Sequence, residues 1–172
     1  MCGIVGYIGS REATPILMNG LKKLEYRGYD SAGVAILHDG VIKMVKTKGR
    51  LTTLESKLGT TDLSGHMGIG HTRWATHGEP NDVNSHPHIS SSGKIAVVHN
   101  GIIENFMKLK EFLISKGYHF QSDTDTEVVA NLIDYNYKGD LVKAVMNTLN
   151  DIEGAYALGV ICTDCPDEFV AA

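Results

Sequence analysis

The sequence has little cysteine, no block of basic residues and no long apolar run. Three cysteines among 172 residues are too few for a disulfide scaffold. The 16 Lys and Arg residues are scattered among 20 Asp and Glu residues, for a formal net charge of -4. Because nucleic-acid binding draws on clustered basic side chains, we predict no nucleic-acid partner.

The absence of long apolar runs also bears on the compartment. No run reaches the roughly 18 residues that cross a bilayer, and the first residues lack the basic segment of a signal peptide. We therefore expect no membrane partner and a cytoplasmic location, where the three thiols would stay unpaired. The whole sequence is 42% hydrophobic and 21% charged, which is the composition of one globular domain with its own core.

Local patterns predict strands and helices that are segregated along the chain. Apolar runs predict strands over residues 4–8, 67–72, 95–99, 155–161 and 169–172, and Asp39-Gly40 predicts a hairpin turn. Thr14-Pro15 predicts a helix start, and residues 124–127 have the spacing of a capping box. Further helices are predicted over residues 51–58, 104–116 and 141–149. We expect an α+β domain, truncated at its C-terminus because the chain ends within a strand.

Cys2 is the first candidate for chemistry. Removal of Met1 would leave a thiol and a free α-amino group on one residue, and an α-amine can accept the proton of a thiol near neutral pH. The alternative is a small buried apolar residue, since free cysteine is among the most buried residue types.

Two further segments carry groups that an acyl transfer needs. Asn100-Gly101, directly after the strand over residues 95–99, would offer a side-chain amide and a backbone N–H to a developing oxyanion, although Asn-Gly is also an ordinary turn. Arg73 leaves a strand where it would clamp a carboxylate, and Trp74 would close over a ligand. The alternatives are a solvated Arg73 and a Trp74 that packs in the core.

The remaining polar candidates have structural alternatives as well. Asp125 would bind an ammonium group, or it stabilises the start of a helix. Eight histidines raise the question of a metal site, but no motif with metal-ligand spacing supports one, so we expect no metal. Cys162 and Cys165 have the spacing of a redox motif in a turn, where an incidental placement is favoured.

Taken together, these motifs resemble one family along the whole chain. The matching segments are residues 1–6 (MCGIVG), 24–33 (LEYRGYDSAG), 70–78 (GHTRWATHG), 98–105 (VHNGIIEN) and 124–127 (TDTE). They are similar to the glutaminase domains of the glutamine:fructose-6-phosphate aminotransferase family, which are class II glutamine amidotransferases. Related enzymes of the purine pathway typically have His-Arg-Gly-Gln where this chain has Tyr-Arg-Gly-Tyr at residues 26–29.

The resemblance implies a fold and a set of catalytic residues. The fold is that of N-terminal nucleophile hydrolases, an αββα sandwich of two antiparallel sheets between helical layers. Cys2 would be the nucleophile after loss of Met1, with its own α-amino group as the base. Asn100 and Gly101 would form the oxyanion hole, and no cofactor is implied.

The resemblance also implies how substrate and partners are bound. Arg73 would bind the α-carboxylate of L-glutamine and Asp125 its α-ammonium group, while Thr76 and His77 would line the pocket. Residues 73–80, with Trp74, would act as a lid, and Arg27 would support the site. The ammonia would pass to a sugar-isomerase domain that converts fructose 6-phosphate, in a full-length enzyme that forms a homodimer.

Two alternatives to an active glutaminase domain of this family stay open. The chain would bind glutamine without turnover if Met1 is retained or if truncation disables Cys2. It would otherwise be the glutaminase domain of another class II amidotransferase, such as the purine-pathway enzyme.

Overall fold

A computed structural model describes residues 1–172 and contains eight strands and five α-helices. The strands are β1 (Gly3–Ile8), β2 (Ser31–His38), β3 (Val41–Lys48), β4 (Met67–Arg73), β5 (His88–Ile89), β6 (Ile95–Ile103), β7 (Gly154–Cys162) and β8 (Phe169–Ala171). The helices are α1 (Ala13–Leu24), α2 (Leu51–Leu58), α3 (Phe106–Ser115), α4 (Asp125–Asn136) and α5 (Leu141–Asp151). Every element predicted from the sequence is present.

The strands form two four-stranded sheets in which all pairing is antiparallel. The first sheet has the order β1-β4-β2-β3, and the second has the order β5-β6-β7-β8. The predicted hairpin joins β2 to β3. Asp39 and Gly40 have φ angles of 48° and 74°, the two left-handed conformations that a two-residue hairpin turn requires.

Apolar side chains fill three layers of core. Between the sheets lie side chains of β2, β3, β4, β6 and β7, namely Ala35, Leu37, Ile42, Met67, Ile69, Ala96, Val98 and Ile161. On the outer face of the first sheet, α1 and α2 bury Leu17, Leu21 and Leu54. On the outer face of the second sheet, α4 and α5 contribute Val129 and Leu141. Helix, sheet, sheet and helix therefore stack in the order expected of an αββα sandwich.

The start of α1 differs from the prediction. The helix begins at Ala13, one residue before Thr14, and its N-cap Glu12 makes no side-chain capping bond. Thr14 Oγ1 instead donates to the carbonyl oxygen of Leu63 at 2.6 Å, and the Glu12 carboxylate accepts from the backbone nitrogen of Gly65 at 3.0 Å. Both side chains bind the segment that precedes β4, so long-range contacts replace the local cap.

The start of α4 is as predicted. Thr124 is the N-cap, and its Oγ1 accepts a hydrogen bond from the backbone nitrogen of Glu127 at 3.3 Å. The Glu127 carboxylate binds the backbone nitrogens of Gln121 and Ser122, at 2.9 and 2.7 Å. These bonds fix the turn that leads into the helix, and with it the position of Asp125.

The strand β6 is longer than the sequence predicts. Its pairing with β7 continues past His99 to Ile103, so Asn100 and Gly101 lie inside the strand, opposite Ala157 and Tyr156. The prediction that they follow the strand is wrong, and so is the alternative of an ordinary turn.

The helices are short. The longest, α1 and α4, have 12 residues each, and none of the five has the length and apolarity that a membrane crossing demands.

Candidate active site

Cys2 lies directly before β1, at the edge of the first sheet. Gly3 pairs with Thr72 on β4, which brings Cys2 next to the residues that follow β4. The backbone nitrogen of Trp74 donates to Sγ of Cys2 at 3.2 Å. Cys2 is only partly buried. The thiol therefore borders the surface, and the alternative of a buried filler residue is wrong.

Asn100 reaches Cys2 from the facing sheet. Its Nδ2 donates to the carbonyl oxygen of Cys2 at 3.4 Å, and its Oδ1 accepts from Nε2 of His71 at 2.8 Å. The next residue, Gly101, has a φ of 120°, and a Cβ there would lie 1.9 Å from the carbonyl oxygen of Ala155. Only glycine fits this position, since any side chain would collide with the backbone of β7.

Arg73 ends β4 and is 3% exposed, so the alternative of a solvated side chain is wrong. Its Nη2 donates to the carbonyl oxygens of His77 and of Gly78, the latter at 3.0 Å. Its Nη1 is buried without a hydrogen-bond partner. Burial lowers the pKa of Arg73, and the Asp30 carboxylate opposes that shift. The guanidinium thus stays charged, and one of its donor groups has no hydrogen-bond partner.

Asp125 is the first residue of α4 and is almost fully buried. Its Oδ2 accepts from the backbone nitrogen of Ile103 at 2.9 Å. The carboxylate therefore joins the start of α4 to the end of β6, which goes beyond the alternative of a simple helix-capping role.

These side chains meet in one narrow cleft with a cavity volume of about 10 Å³. The lining residues are Cys2, Arg73, Trp74, Thr76, His77, His86, His99, Gly101, Thr124, Asp125 and Thr126. Seven of the nine residues that the sequence predicts for the site are among them. The other two lie beside it: Asn100 contacts Cys2, and Arg27 donates to Sδ of Met1 at 3.4 Å.

Trp74 stands at the rim of the cleft. The residue is 56% exposed, so the alternative of core packing is wrong. Its ring lies beside Gly28, whose Cβ position would be 3.5 Å from Cζ3 of Trp74. A large exposed aromatic side chain next to the thiol is placed to cover a bound ligand.

Buried histidines are the main feature that the sequence reasoning misses. The ring of His71 stacks on that of His86, with centroids 4.3 Å apart. Thr126 Oγ1 lies 3.2 Å from Nε2 of His86 and 3.0 Å from Nδ1 of His99. Burial lowers the pKa of His71 to about 4 and also lowers those of His86 and His99, so all three are neutral at pH 7. In the sequence, His71 and His99 lie within or beside apolar runs, whereas His86 lies between Ser85 and Pro87 and has no such signal.

No group of three or more His, Cys, Asp or Glu side chains is arranged to hold a metal ion. Cys162 is the last residue of β7 and Cys165 lies in the connection to β8, and neither lines the cleft. Burial raises the pKa of Cys162 to about 11, so its thiol is protonated at neutral pH. Neither cysteine takes part in the site around Cys2.

A larger groove of about 880 Å³ lies beside β3 and β5. Two charged side chains of this groove already have hydrogen-bond partners: the partly buried Lys46 donates from Nζ to the carbonyl oxygens of Val83 and Ser85 at 2.8 Å each, and the Glu127 carboxylate binds the turn before α4. The unpartnered polar atoms of the structure belong instead to the cleft at Cys2 and its surroundings, being those of His71, Thr72, Arg73, His77, His86 and His99. The smaller cleft is therefore the candidate site.

The cleft combines a thiol, an unpaired guanidinium nitrogen and a buried carboxylate. A cation and an anion held at fixed positions match the two charged groups of an α-amino acid. The thiol beside them would meet the side chain of that ligand, where Asn100 offers an amide donor.

Comparison with known proteins agrees with this chemistry. The family model of the glutamine amidotransferase domain matches residues 71–172. The glutamine–fructose-6-phosphate aminotransferase (isomerizing) of Caldanaerobacter subterraneus subsp. tengcongensis is 64% identical over 172 residues, covering all of this chain and 28% of that protein. The enzyme of the same name from Clostridium tetani is 64% identical over 171 residues, with 99% and 28% covered. The chain thus spans little more than a quarter of the length of these relatives.

Solved structures show the same fold. Glutamine phosphoribosylpyrophosphate (PRPP) amidotransferase from B. subtilis superposes with a TM-score of 0.80 at 30% identity, covering 95% of this chain and 35% of that one. A structure described as the allosteric regulatory enzyme of purine biosynthesis gives a TM-score of 0.81 at 31% identity, with 95% and 36% covered. The expected αββα class is confirmed.

Proposed function

Because the chain belongs to the glutamine amidotransferase family, we propose that it hydrolyses the side-chain amide of L-glutamine to glutamate and ammonia through a thioester at Cys2. One observation carries the proposal. The cleft at Cys2 also holds Asp125 and an Arg73 whose buried Nη1 has no partner. Residues 1–172 then act as one glutaminase domain.

The reaction begins at Cys2 after removal of Met1. The free α-amino group of Cys2 takes the thiol proton, and the sulfur attacks the side-chain carbonyl carbon of glutamine. The carbonyl oxygen becomes an oxyanion, which accepts hydrogen bonds from Asn100 Nδ2 and the backbone N–H of Gly101. Preorganised donors of this kind stabilise charge in the transition state more than in the bound substrate.

Collapse of the tetrahedral intermediate breaks the carbon–nitrogen bond. The α-ammonium group of Cys2 gives its proton to the leaving nitrogen, and ammonia departs, leaving a glutamyl thioester. Water then attacks the thioester with the α-amino group as base, which releases glutamate and restores the thiol.

Arg73 and Asp125 bind the end of the substrate that does not react. Nη1 of Arg73 donates to the α-carboxylate, and the carboxylate of Asp125 accepts from the α-ammonium group. Thr76 and His77 lie in the same cleft and contact the chain of the substrate between its two ends.

Two further residues support the site. Trp74 lies on the segment after β4 and covers the cleft when glutamine is bound. Arg27 interacts with Met1, and its backbone carbonyl oxygen accepts from the α-amino group of Met1 at 3.0 Å. After Met1 is removed, the side chain and carbonyl of Arg27 border the new N-terminus.

The ammonia is used by a sugar-isomerase domain of a longer protein, which converts fructose 6-phosphate to glucosamine 6-phosphate. The relatives at 64% identity carry the name of this activity and are more than three times as long as the chain. The PRPP amidotransferase and the regulatory enzyme of purine biosynthesis are only 30% and 31% identical, which favours the amino-sugar reaction. We also propose that the full-length protein is a homodimer.

Product analysis with the intact natural protein tests the proposal. We expect equal amounts of glutamate and ammonia from glutamine, and γ-glutamyl hydroxamate when hydroxylamine intercepts the thioester. With fructose 6-phosphate we expect glucosamine 6-phosphate, and with PRPP no aminated product. Glutamine binding without glutamate release would identify a binding protein, and amination of PRPP would assign the chain to the purine branch.

A further inference from the structure

His71 is a fully buried group that the reaction described above does not use. It lies in the middle of the first sheet, on β4, where it pairs with Ile4 of β1 on one side and Gly33 of β2 on the other. Its ring reaches the second sheet, because Nε2 lies 2.8 Å from Oδ1 of Asn100 on β6. One side chain thus joins the two sheets at the oxyanion donor.

The orientation of the Asn100 amide decides whether it helps or hinders the reaction. Its nitrogen donates hydrogen bonds, and its oxygen only accepts them. If the amide were turned over, the oxygen would face the developing oxyanion and repel it. With Oδ1 bound to His71, Nδ2 lies on the side of Cys2, 3.4 Å from the carbonyl oxygen of that residue.

We propose that His71 is a positioning residue for Asn100: its Nε2–H group holds Oδ1, so that Nδ2 is presented to the oxyanion. The inference rests on the proposed glutaminase reaction. His71 is not among the residues that line the cleft, and its hydrogen bond to Asn100 is the contact through which it acts.

The surroundings of His71 keep the necessary proton on Nε2. Because Asn100 Oδ1 can only accept, Nε2 is the protonated nitrogen and Nδ1 carries a lone pair. Nδ1 is buried without a partner, and the ring stacks on His86 at an interplanar angle of 23°. A second proton would leave a buried donor unsatisfied, and burial lowers the pKa of His71 to about 4. The neutral form that donates from Nε2 is thus the stable one at physiological pH.

A double-mutant cycle in the intact natural protein tests the proposal. His71→Leu removes the donor and keeps a buried side chain, and Asn100→Ala removes the oxyanion donor. We expect H71L alone to lower kcat for glutamate release about 10- to 100-fold, with KM within about twofold, since loss of an oxyanion donor itself costs about 10²- to 10³-fold. In the N100A background, H71L should lower kcat by less than about twofold, because the group that it orients is gone.

Replacement of His71 by each of the two amide side chains, Gln and Asn, provides a matched pair of controls. His71→Gln places an N–H donor near the position of Nε2, and His71→Asn is too short to reach Asn100. We expect H71Q to keep kcat within about fivefold of the unmodified protein and H71N to behave like H71L. This pair carries the test if H71L does not fold. His88→Gln removes another buried histidine and should lower stability without the loss of kcat.

The outcomes separate the two proposals. An unmodified protein that releases no glutamate overturns the glutaminase reaction, and the role of His71 with it. An active protein in which H71L lowers kcat equally in both backgrounds, or not at all, overturns only the role of His71. Equal kcat values for H71Q and H71N would overturn it as well.

Discussion

Trp74 donates its backbone N–H to Sγ of Cys2 at 3.2 Å. This bond joins the residue before β1 to the residue after β4, two strands that are neighbours in the first sheet. The thiol is therefore positioned by strand pairing, and the segment that carries Trp74 contacts the sulfur directly. A movement of this segment on ligand binding would also alter the surroundings of the sulfur.

Replacement of Cys2 by alanine separates catalysis from binding. We expect kcat for glutamate release to fall by about 10⁴-fold or more, because no thioester can form. Glutamine should still bind, since Arg73 and Asp125 are unchanged. Calorimetric titration measures the binding, and Cys165→Ala is the control that should keep full activity. Retained turnover in C2A would exclude Cys2 as the nucleophile.

Asp125→Asn tests the contact with the α-ammonium group. The amide oxygen of Asn can still accept from the backbone nitrogen of Ile103, so the link between α4 and β6 is kept. We expect KM for glutamine to rise about 10- to 100-fold, as for loss of a hydrogen bond to a charged group. Glutaramate, which lacks the α-amino group, is the control ligand. Its affinity should change little, and an equal loss for both ligands would argue against this contact.

Stability should decline in mild acid because of the buried histidines. Burial lowers the pKa of His71 to about 4 and lowers those of His86 and His88 well below 6.5. Below pH 6.5 the unfolded chain takes up protons that the folded chain excludes, so stability is complete above that pH and falls as the pH drops towards 4. Each histidine adds a slope of up to about 1.4 kcal/mol per pH unit.

Urea unfolding between pH 7.5 and 4.5 measures this slope. His88→Gln removes one of the titrating groups, so its slope should be smaller by up to about 1.4 kcal/mol per pH unit. A stability that does not change over this range would mean that the histidines are protonated in the folded chain.

Gly101→Ala tests the close approach of β6 to β7. An added Cβ would lie 1.9 Å from the carbonyl oxygen of Ala155, at a φ of 120°. Gly93→Ala is the matched control, because Gly93 has a φ of 76° and no atom within 4 Å of the added Cβ. We expect G93A to cost about 1 kcal/mol and G101A several kcal/mol in urea unfolding. Equal costs would mean that the backbone at Gly101 moves freely.

Much of the fold can be predicted from local patterns. The Asp39-Gly40 hairpin and the Thr124 cap depend on residues close in sequence, and both predictions are confirmed. The start of α1 is not predicted, because Thr14 and Glu12 bind a segment about 50 residues away. Nor is the length of β6, which its pairing with β7 determines.

The site is predictable in parts. Cys2, Arg73 and Asp125 are identified from their chemistry and the family resemblance, and the structure brings them into one cleft. The roles of these residues stay predictions. The hydrogen bond between His71 and Asn100 cannot be read from the sequence, because it crosses between sheets whose relative placement follows only from the packed core.

Intact-protein mass spectrometry with peptide mapping tests the central claim most directly. The natural protein is measured before and after exposure to an electrophilic glutamine analogue, with and without excess glutamine. The account predicts a mature chain that starts at Cys2 and carries one adduct, on Cys2, whose formation glutamine prevents. A free N-terminal Cys2 that forms no adduct, or an adduct on Cys162 or Cys165 instead, would contradict it.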